Sequence, residues 1–196
     1  MGRLILASAS PRRAELLGQL GVEFEVCPVD VDESRAGDEA VRDYVSRVAA
    51  LKAQAALTGS ADDETILVAD TAVAIGTRIF GKPADADDAR EMLHCLSGRT
   101  HEVLTALVVS RRAQFHEALV VVTRVTFSVL DDEVIDAYWA TGEPADKAGA
   151  YGIQGLGGVF VRSIEGSYSS VVGLPLAETA EVLNKAGIRT ALVRAD

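Results

Sequence analysis

The sequence predicts an α/β protein, a mixed α+β chain built on an elongated mixed β-sheet flanked by helices. Apolar runs typical of strands alternate with helical patterns in the amino-terminal half. The β-rich segments 101–110 and 115–130 are joined only by a polar turn, which predicts an antiparallel pair and disfavours a simple βαβ repeat. With 196 residues, 48% of them hydrophobic, the chain suits either one large domain over 1–196 or two small lobes sharing a core.

The amino-terminal half predicts alternating strands and helices. Leu4–Ala7 is an uninterrupted apolar run, which is typical of a buried strand. Ser10 is suited to be an N-cap and Pro11 a first helical residue, and Gly21 is suited to end that helix. The further predicted elements are a strand at 23–26, a helix at 38–57, a strand at 65–69 that ends at Asp70, a hairpin of 73–75 and 78–80, and a helix at 85–96.

The carboxy-terminal half predicts a helix, an irregular segment and a return to regular structure. The helix opens at Asp131 and ends near Gly142. Six of the seventeen residues in 142–158 are glycine, which excludes a stable helix there. Three large apolar side chains within this segment argue that it is packed rather than a mobile loop. A strand at 159–164, a helix at 176–186 and a final strand at 190–194 follow.

Composition excludes several classes of partner. The formal net charge of −10 disfavours duplex nucleic acid and anionic membranes, because both reward a basic surface. The sequence contains no run of about 18 apolar residues that would predict a membrane span. Cys27 and Cys95 fit no metal-binding or redox spacing and are expected to be buried thiols in a reducing compartment, which predicts a cytoplasmic protein.

Two arginines open the first predicted helix. The first turn of a helix carries partial positive charge and free N–H groups, so Arg12 and Arg13 cost about 0.3–1 kcal/mol each unless an anion is bound nearby. A strand, a small-residue turn, a helix N-terminus and two guanidinium groups together predict a phosphate site. The alternative is that both side chains point into solvent.

Four further charged residues are candidates for chemistry. Asp70 follows an apolar strand, where a carboxylate is placed to act as a general base or metal ligand, although capping a turn is an equally common role. Lys82 lies between a glycine and a proline that would present its ammonium rigidly, but a solvated loop lysine is the alternative. Lys52 borders the apolar face of its helix and would reach either solvent or a cleft. Glu33 belongs to an acidic loop that is either solvated or metal-binding.

The glycine-rich segment carries one side chain suited to reading a nucleobase. Gln154 offers both a donor and an acceptor on one amide, as a base edge does. The sequence contains no P-loop, no dinucleotide-binding glycine motif and no serine-nucleophile elbow, and its three histidines are not grouped at metal-ligand spacing. A serine hydrolase or a zinc enzyme is therefore disfavoured.

Six blocks, taken together, resemble the Maf family of nucleoside triphosphate pyrophosphatases. Each block alone is weakly specific, but all six occur in the family's order from about residue 4 to residue 183. The blocks are Ser8-Ala9-Ser10-Pro11-Arg12-Arg13, Ala69-Asp70-Thr71, Gly81-Lys82-Pro83, Leu96-Ser97-Gly98 with His101, Asp146-Lys147-Ala148-Gly149-Ala150-Tyr151-Gly152-Ile153-Gln154-Gly155, and Gly173-Leu174-Pro175-Leu176.

This resemblance implies a Maf/inosine-triphosphatase-like fold with two lobes around a central cleft, and a homodimer. It implies hydrolysis of a nucleoside triphosphate between the α- and β-phosphates with Mg²⁺ or Mn²⁺, with Asp70 as proton acceptor. The substrate-specificity positions fall on Arg12, Thr71 and Gln154. The other active-site groups fall on Ser8, Arg13, Glu33, Lys52 and Lys82. Glu33 and Asp70 are the expected metal ligands.

The branch of the family is also indicated. Asp70-Thr71, His101 and Tyr151–Gly155 are similar to the branch that acts on dTTP and UTP, with CTP or modified pyrimidine triphosphates as further candidates in cleaning nucleotide pools. Two readings stay open beside it, namely a 7-methyl-GTP pyrophosphatase and a regulatory inhibitor of septum formation that acts mainly by binding. A third reading is a phosphatase or nucleotide-sugar enzyme that uses the same pocket, and analysis of the reaction products would distinguish it from a pyrophosphatase.

Overall fold

A computed structural model describes residues 3–112 and 114–192. Within them the chain forms seven strands and six α-helices. The strands are β1 (Leu4–Leu6), β2 (Glu25–Val26), β3 (Thr65–Ile75), β4 (Arg78–Phe80), β5 (Thr100–Arg111), β6 (Phe115–Phe127) and β7 (Val161–Glu165). The helices are α1 (Pro11–Gln19), α2 (Val41–Thr58), α3 (Ala86–Leu96), α4 (Asp132–Ala140), α5 (Tyr168–Val172) and α6 (Leu176–Lys185). In the described residues no helix is both long and apolar enough to span a bilayer.

The strands confirm the predicted mixed sheet. Their order is β2-β1-β3-β5-β6-β7, with β4 paired to β3. β1 is parallel to both β2 and β3, and Leu6 pairs with Leu67. β4 runs antiparallel to β3 around Gly76, whose φ of 59° suits the glycine of a tight hairpin. β7 runs antiparallel to β6.

The chain divides into two compact units. The first unit comprises the residues up to Asp70, the segment 105–121 and the residues from Gly173 onward, and the second comprises 71–104 and 122–172. Fully buried leucines of β1, α1 and β3 form the core of the first unit. The second unit has an aromatic core in which Phe127 packs edge-on against His101 and Tyr151, and Phe160 packs edge-on against Tyr138.

β3 is longer than the sequence predicts. The predicted strand at 65–69 and the first arm of the hairpin form one continuous strand, Thr65–Ile75, which is buried over most of its length. Neither glycine nor proline interrupts it at residues 70–72, so pairing continues. Asp70 therefore lies within the strand rather than at its end.

The expectation that both cysteines are buried is wrong, because Cys27 is exposed and Cys95 is half-buried. Two predicted strands also differ from the structure for local reasons, and one helix was not predicted. The strand predicted at 159–164 begins only at Val161, because 156–160 form a 3₁₀ turn. The strand predicted at 190–194 is wrong at 190–192, where Ala191 N–H donates to the carbonyl oxygen of Leu20, the residue after α1, instead of to a sheet neighbour (2.8 Å). Residues 193–194 lie outside the described residues. α5 is unpredicted; the backbone N–H of Ser170 donates to the hydroxyl of Ser167 at its start (3.2 Å).

Candidate active site

Arg13 is held in place at the start of α1. Its Nη1 donates to Oγ of Ser8 (3.2 Å), and its Nε donates to the carbonyl oxygen of Gly173 (3.0 Å). Ser8 Oγ also accepts from Ser10 N–H (3.2 Å), which fixes the turn between β1 and α1. Desolvation lowers the pKa of Arg13, partly opposed by the charge of Asp70, and the group stays cationic at neutral pH.

The N-terminus of α1 keeps the features of an anion site. Ser10 has the extended backbone of an N-cap but makes no side-chain capping hydrogen bond, and the first turn has no acidic residue. Arg12 and Arg13 occupy that turn, as predicted. The partial positive charge of the helix end and two guanidinium groups therefore lie together.

Lys52 of α2 bridges two carboxylates. Its Nζ lies 2.7 Å from Oδ1 of Asp70 and 2.7 Å from Oε1 of Glu33. The side chains of Lys52 and Asp70 are only 12% and 9% exposed, whereas that of Glu33 is 53% exposed. The sequence left Lys52 between solvent and a cleft, and the structure places it against Asp70.

Burial makes Asp70 a better proton acceptor. Desolvation raises its pKa, while the ammonium of Lys52 and then the guanidinium of Arg13 lower it, and the result stays above the usual aspartate value. A carboxylate with a raised pKa that is held by a lysine is suited to orienting a water molecule and taking its proton.

The donor set around Lys52 fits a small divalent cation. Within the described residues no three or more His, Cys, Asp or Glu side chains are grouped to hold a metal by themselves. Glu33 and Asp70 are nonetheless bound to the same ammonium, so two carboxylates lie close together. Mg²⁺ in phosphate-transfer sites is commonly held by one or two carboxylates, waters and the substrate's own phosphates. These residues therefore fit such an ion without a complete protein cage.

The remaining predicted site residues lie in the second unit. Thr71 is half-buried in β3, and Lys82 and Gln154 are exposed. The loop that carries Lys82 is tied to the glycine-rich segment, because Gly149 N–H donates to Gly81 C=O (3.0 Å). The first unit thus holds Ser8, Arg12, Arg13, Glu33, Lys52 and Asp70, and the second unit holds Thr71 and the segments of Lys82 and Gln154. The expectation that the site residues of both units line one cleft stays a prediction.

The glycine-rich segment is packed at Tyr151, as predicted, but the expectation that its apolar side chains are buried is wrong for Leu156, which is 55% exposed. The segment contains three 3₁₀ turns, Glu143–Asp146, Ala148–Ala150 and Leu156–Phe160. Tyr151 is buried, and its hydroxyl lies 2.9 Å from Nε2 of His101. Burial lowers the pKa of His101 to about 4, so the imidazole is neutral at physiological pH and its role is structural, as the sequence indicated.

Sequence reasoning missed two groups in this region. Gly173 supplies the carbonyl that holds Arg13, from a position 160 residues away along the chain. Glu143 places its carboxylate at the centre of the glycine-rich segment. The first belonged to a block that resembled the Maf family, and the second is signalled by the glycines that surround it.

The mixed sheet makes this an α/β protein. Its helix N-terminus with two arginines and its carboxylate pair bridged by a lysine are suited to a phosphorylated ligand. The chain matches the Maf-like protein family over residues 3–186 and belongs to it. It is 54% identical over 189 residues to a dTTP/UTP pyrophosphatase of Methylococcus capsulatus, covering 96% of this chain and 93% of the relative. It is 55% identical over 188 residues to that of Anaeromyxobacter dehalogenans, covering 94% of each.

A solved structure supports the fold alone. The HAM1 protein from Coxiella burnetii superposes with a TM-score of 0.51 at 16% identity, covering 94% of this chain and 100% of that one. The predicted fold class is therefore confirmed, together with the predicted family.

Proposed function

We propose that this protein is a hydrolase of acid anhydrides that cleaves dTTP and UTP between the α- and β-phosphates, releasing the monophosphate and pyrophosphate. Relatives named dTTP/UTP pyrophosphatase share more than half of its residues over nearly the whole chain. The structural observation that carries the proposal is the 2.7 Å contact between Lys52 Nζ and the buried Asp70, in the same unit as Arg13. It combines a poised proton acceptor with cationic groups that suit a triphosphate.

The cationic side chains have the task of stabilising charge. Arg12 and Arg13, with the α1 N-terminus, neutralise the polyphosphate, and Ser8 keeps the Arg13 fork in one orientation. Lys52 and Lys82 add ammonium groups for the charge that develops on the leaving pyrophosphate. Asp70 orients a water molecule toward the α-phosphorus and accepts its proton.

A divalent cation, Mg²⁺ or Mn²⁺, belongs to this proposal, with Glu33 and Asp70 as the residues that would hold it directly or through water. When bound, it neutralises phosphate charge and orients the phosphates. The protein's own contribution is to hold both carboxylates close together, since each lies 2.7 Å from the ammonium of Lys52.

Base recognition is assigned to the second unit. Gln154 is exposed and carries a donor and an acceptor, which complements the O4 and N3–H edge that thymine and uracil share. Thr71 adds a hydroxyl. Discrimination against 7-methyl-GTP would follow because its base presents a different pattern of donors and acceptors.

The decisive experiment is a panel of nucleoside triphosphates with separate detection of pyrophosphate and orthophosphate. We expect the highest kcat/KM for dTTP and UTP, with pyrophosphate and monophosphate in equal amounts. A preference for 7-methyl-GTP would show that the proposed substrates are wrong. Release of orthophosphate or a sugar phosphate would show that the proposed reaction is wrong. Binding without turnover of any triphosphate would favour the regulatory alternative.

The proposal includes a homodimer in the cytoplasm, as the family resemblance and the cysteine usage lead us to expect. Analytical ultracentrifugation measures the assembly directly. Sedimentation at the mass of one 20.7 kDa chain over micromolar concentrations would contradict the dimer.

A further inference from the structure

The carboxylate of Glu143 gathers the glycine-rich segment around itself. Its Oε1 accepts hydrogen bonds from the hydroxyl of Tyr138 (2.8 Å) and from the backbone N–H of Gly157 (3.1 Å). Its Oε2 accepts from the backbone N–H of Leu156 (2.8 Å). The hydroxyl of Tyr138 in turn accepts from the backbone N–H of Gly152 (3.0 Å). One carboxylate is thereby connected to backbone groups on both sides of Gln154.

The spacing of the glycines follows from the carboxylate at their centre. A Cβ atom at Gly155 would collide with both oxygens of Glu143, and one at Gly157 would lie 2.5 Å from the hydroxyl of Tyr138. A Cβ atom at Gly152 would lie 2.6 Å from Cε of Lys147 and 3.2 Å from Oε1 of Glu143. Since real Cβ atoms essentially never approach another heavy atom within 3.0 Å, the carboxylate of Glu143 requires glycine at 155 and the hydroxyl of Tyr138 requires it at 157, whereas Gly152 is constrained first by the side chain of Lys147.

The charge state of Glu143 supports this arrangement. Burial opposes its ionisation, but the hydrogen bonds from Gly157, Tyr138 and Leu156 outweigh burial and leave the pKa of the carboxyl below its usual value. Glu143 is therefore an acceptor at neutral pH. Lys147 also binds this residue, since its Nζ donates a hydrogen bond to the backbone carbonyl oxygen of Glu143 (2.6 Å).

We propose that Glu143 is a positioning residue for base selection: its carboxylate fixes the backbone on either side of Gln154 and thereby holds the Gln154 amide where it reads the pyrimidine. Gly152 precedes Gln154 by two residues and Leu156 follows it by two, so both anchors act within one short turn. The inference rests on the proposed role of Gln154. In this proposal Glu143 contacts neither the reacting phosphates nor the base.

A purely structural role for Glu143 makes a different prediction. Loss of a structural carboxylate lowers stability and reduces turnover of every nucleotide alike. Loss of a positioning carboxylate changes the ratio of kcat/KM for UTP to kcat/KM for GTP, because a displaced amide discriminates less between bases. This ratio is therefore the readout that separates the two.

The experiment compares Glu143→Gln and Glu143→Ala with Gln154→Ala and with a matched control, Glu165→Gln. Glu165 is an exposed glutamate of the same unit whose carboxylate pairs with Arg124 (2.6 Å). We expect the UTP-to-GTP ratio to fall about tenfold in Glu143→Ala and less in Glu143→Gln, which keeps one acceptor oxygen. The ratio should stay unchanged in Glu165→Gln.

A double variant tests whether Glu143 acts through Gln154. In Glu143→Gln/Gln154→Ala the ratio should equal that of Gln154→Ala alone, because coupled residues are not additive. Hydrogen exchange should also accelerate at the amides of Leu156 and Gly157 in Glu143→Gln. If Glu143→Ala fails to fold, Glu143→Gln and Tyr138→Phe carry the comparison.

Three results would overturn the inference, and they are distinguishable. If Gln154→Ala changes the ratio but neither Glu143 variant does, base reading stands and the positioning role is wrong. If Gln154→Ala leaves the ratio unchanged, the proposed base reading is itself wrong, and the positioning role falls with it. Additive losses in the double variant would equally show that Glu143 acts elsewhere.

Discussion

The Nζ atom of Lys52 lies 2.7 Å from Oδ1 of Asp70, and both side chains are largely excluded from solvent. The ammonium of Lys52 lowers the pKa of Asp70, against the rise that burial causes. Removing one partner leaves a buried charge uncompensated, which is more costly than removing both. Chemistry at Asp70 and its protonation state should therefore respond to changes at Lys52.

Asp70→Asn should abolish turnover while leaving nucleotide binding largely intact. The amide keeps the size of the carboxylate but cannot accept a proton, so kcat for dTTP should fall at least about 100-fold. Steady-state kinetics and calorimetric titration with dTTP measure the two properties. Asp62→Asn, on an exposed aspartate of the same unit that pairs with Arg112, serves as the control. Near-normal turnover in Asp70→Asn would refute the proposed base.

Lys52→Met should shift the acidic limb of the pH–rate profile to higher pH. Burial already raises the pKa of Asp70, and the ammonium of Lys52 opposes this rise. Without the ammonium the pKa rises further, so the ionised, proton-accepting form appears only at higher pH. In a plot of log kcat/KM against pH, the apparent pKa of the acidic limb should rise by about one unit or more. Lys185→Met, at an exposed lysine paired with Glu117, should leave the profile in place; an unmoved profile in Lys52→Met would disprove the coupling.

Arg13→Lys should weaken substrate binding and stability together. Lysine keeps the charge but cannot donate at once to Ser8 Oγ and to the carbonyl of Gly173. We expect the KM for UTP to rise about tenfold and the free energy of unfolding to fall by about 1–2 kcal/mol. Urea unfolding followed by circular dichroism measures the second quantity. An unchanged KM would remove Arg13 from the phosphate site.

Stability should fall as the pH drops from about 6.5 toward 4, and His101 should account for much of the loss. Burial lowers the pKa of His101 to about 4, so in this range the unfolded chain binds a proton that the folded chain does not. The full effect is of the order of 3 kcal/mol. His101→Gln, which does not titrate, should show a flatter profile of unfolding free energy.

The control for this measurement is His94→Gln. His94 is exposed on α3 beside Asp132, so it lacks the burial on which the prediction for His101 depends. If His101→Gln and His94→Gln give the same profile as the parent protein, the pH dependence arises from other groups.

Removal of divalent cations with EDTA should abolish hydrolysis, and Mg²⁺ or Mn²⁺ should restore it. Glu33→Gln should raise the Mg²⁺ concentration needed for half-maximal activity, because one charged oxygen ligand becomes neutral. Glu25→Gln, at an exposed surface pair with Arg3, is the matched control. Full activity in EDTA, or equal Mg²⁺ dependence in both variants, would exclude Glu33 as a ligand.

Local signals in the sequence were sufficient to predict an element wherever its structure depends on residues that are neighbours along the chain. Ser10 and Pro11 mark the beginning of α1, and Gly76 marks the hairpin between β3 and β4, since capping and turn geometry depend on neighbouring residues. The 3₁₀ turn at 156–160 escaped prediction because its backbone N–H groups bond to Glu143, more than ten residues away.

The candidate site followed the same rule. The charges of Arg12 and Arg13 at a helix N-terminus were informative by themselves, because a helix end has a known sign. Lys52 was ambiguous, because its partners Asp70 and Glu33 are 18 and 19 residues distant and only the fold brings them to its Nζ. Distant ion pairs of this kind have no signature in spacing or composition.

The close fit of glycines around Glu143 restricts how this segment can drift over evolutionary time. A methyl group at Gly155 has room only if a smaller residue replaces Glu143. Changing Gly155 alone causes a steric clash, and replacing Glu143 alone removes the acceptor of the Leu156 N–H. Divergent descendants should consequently alter both positions or neither, so that this turn behaves as a single inherited unit.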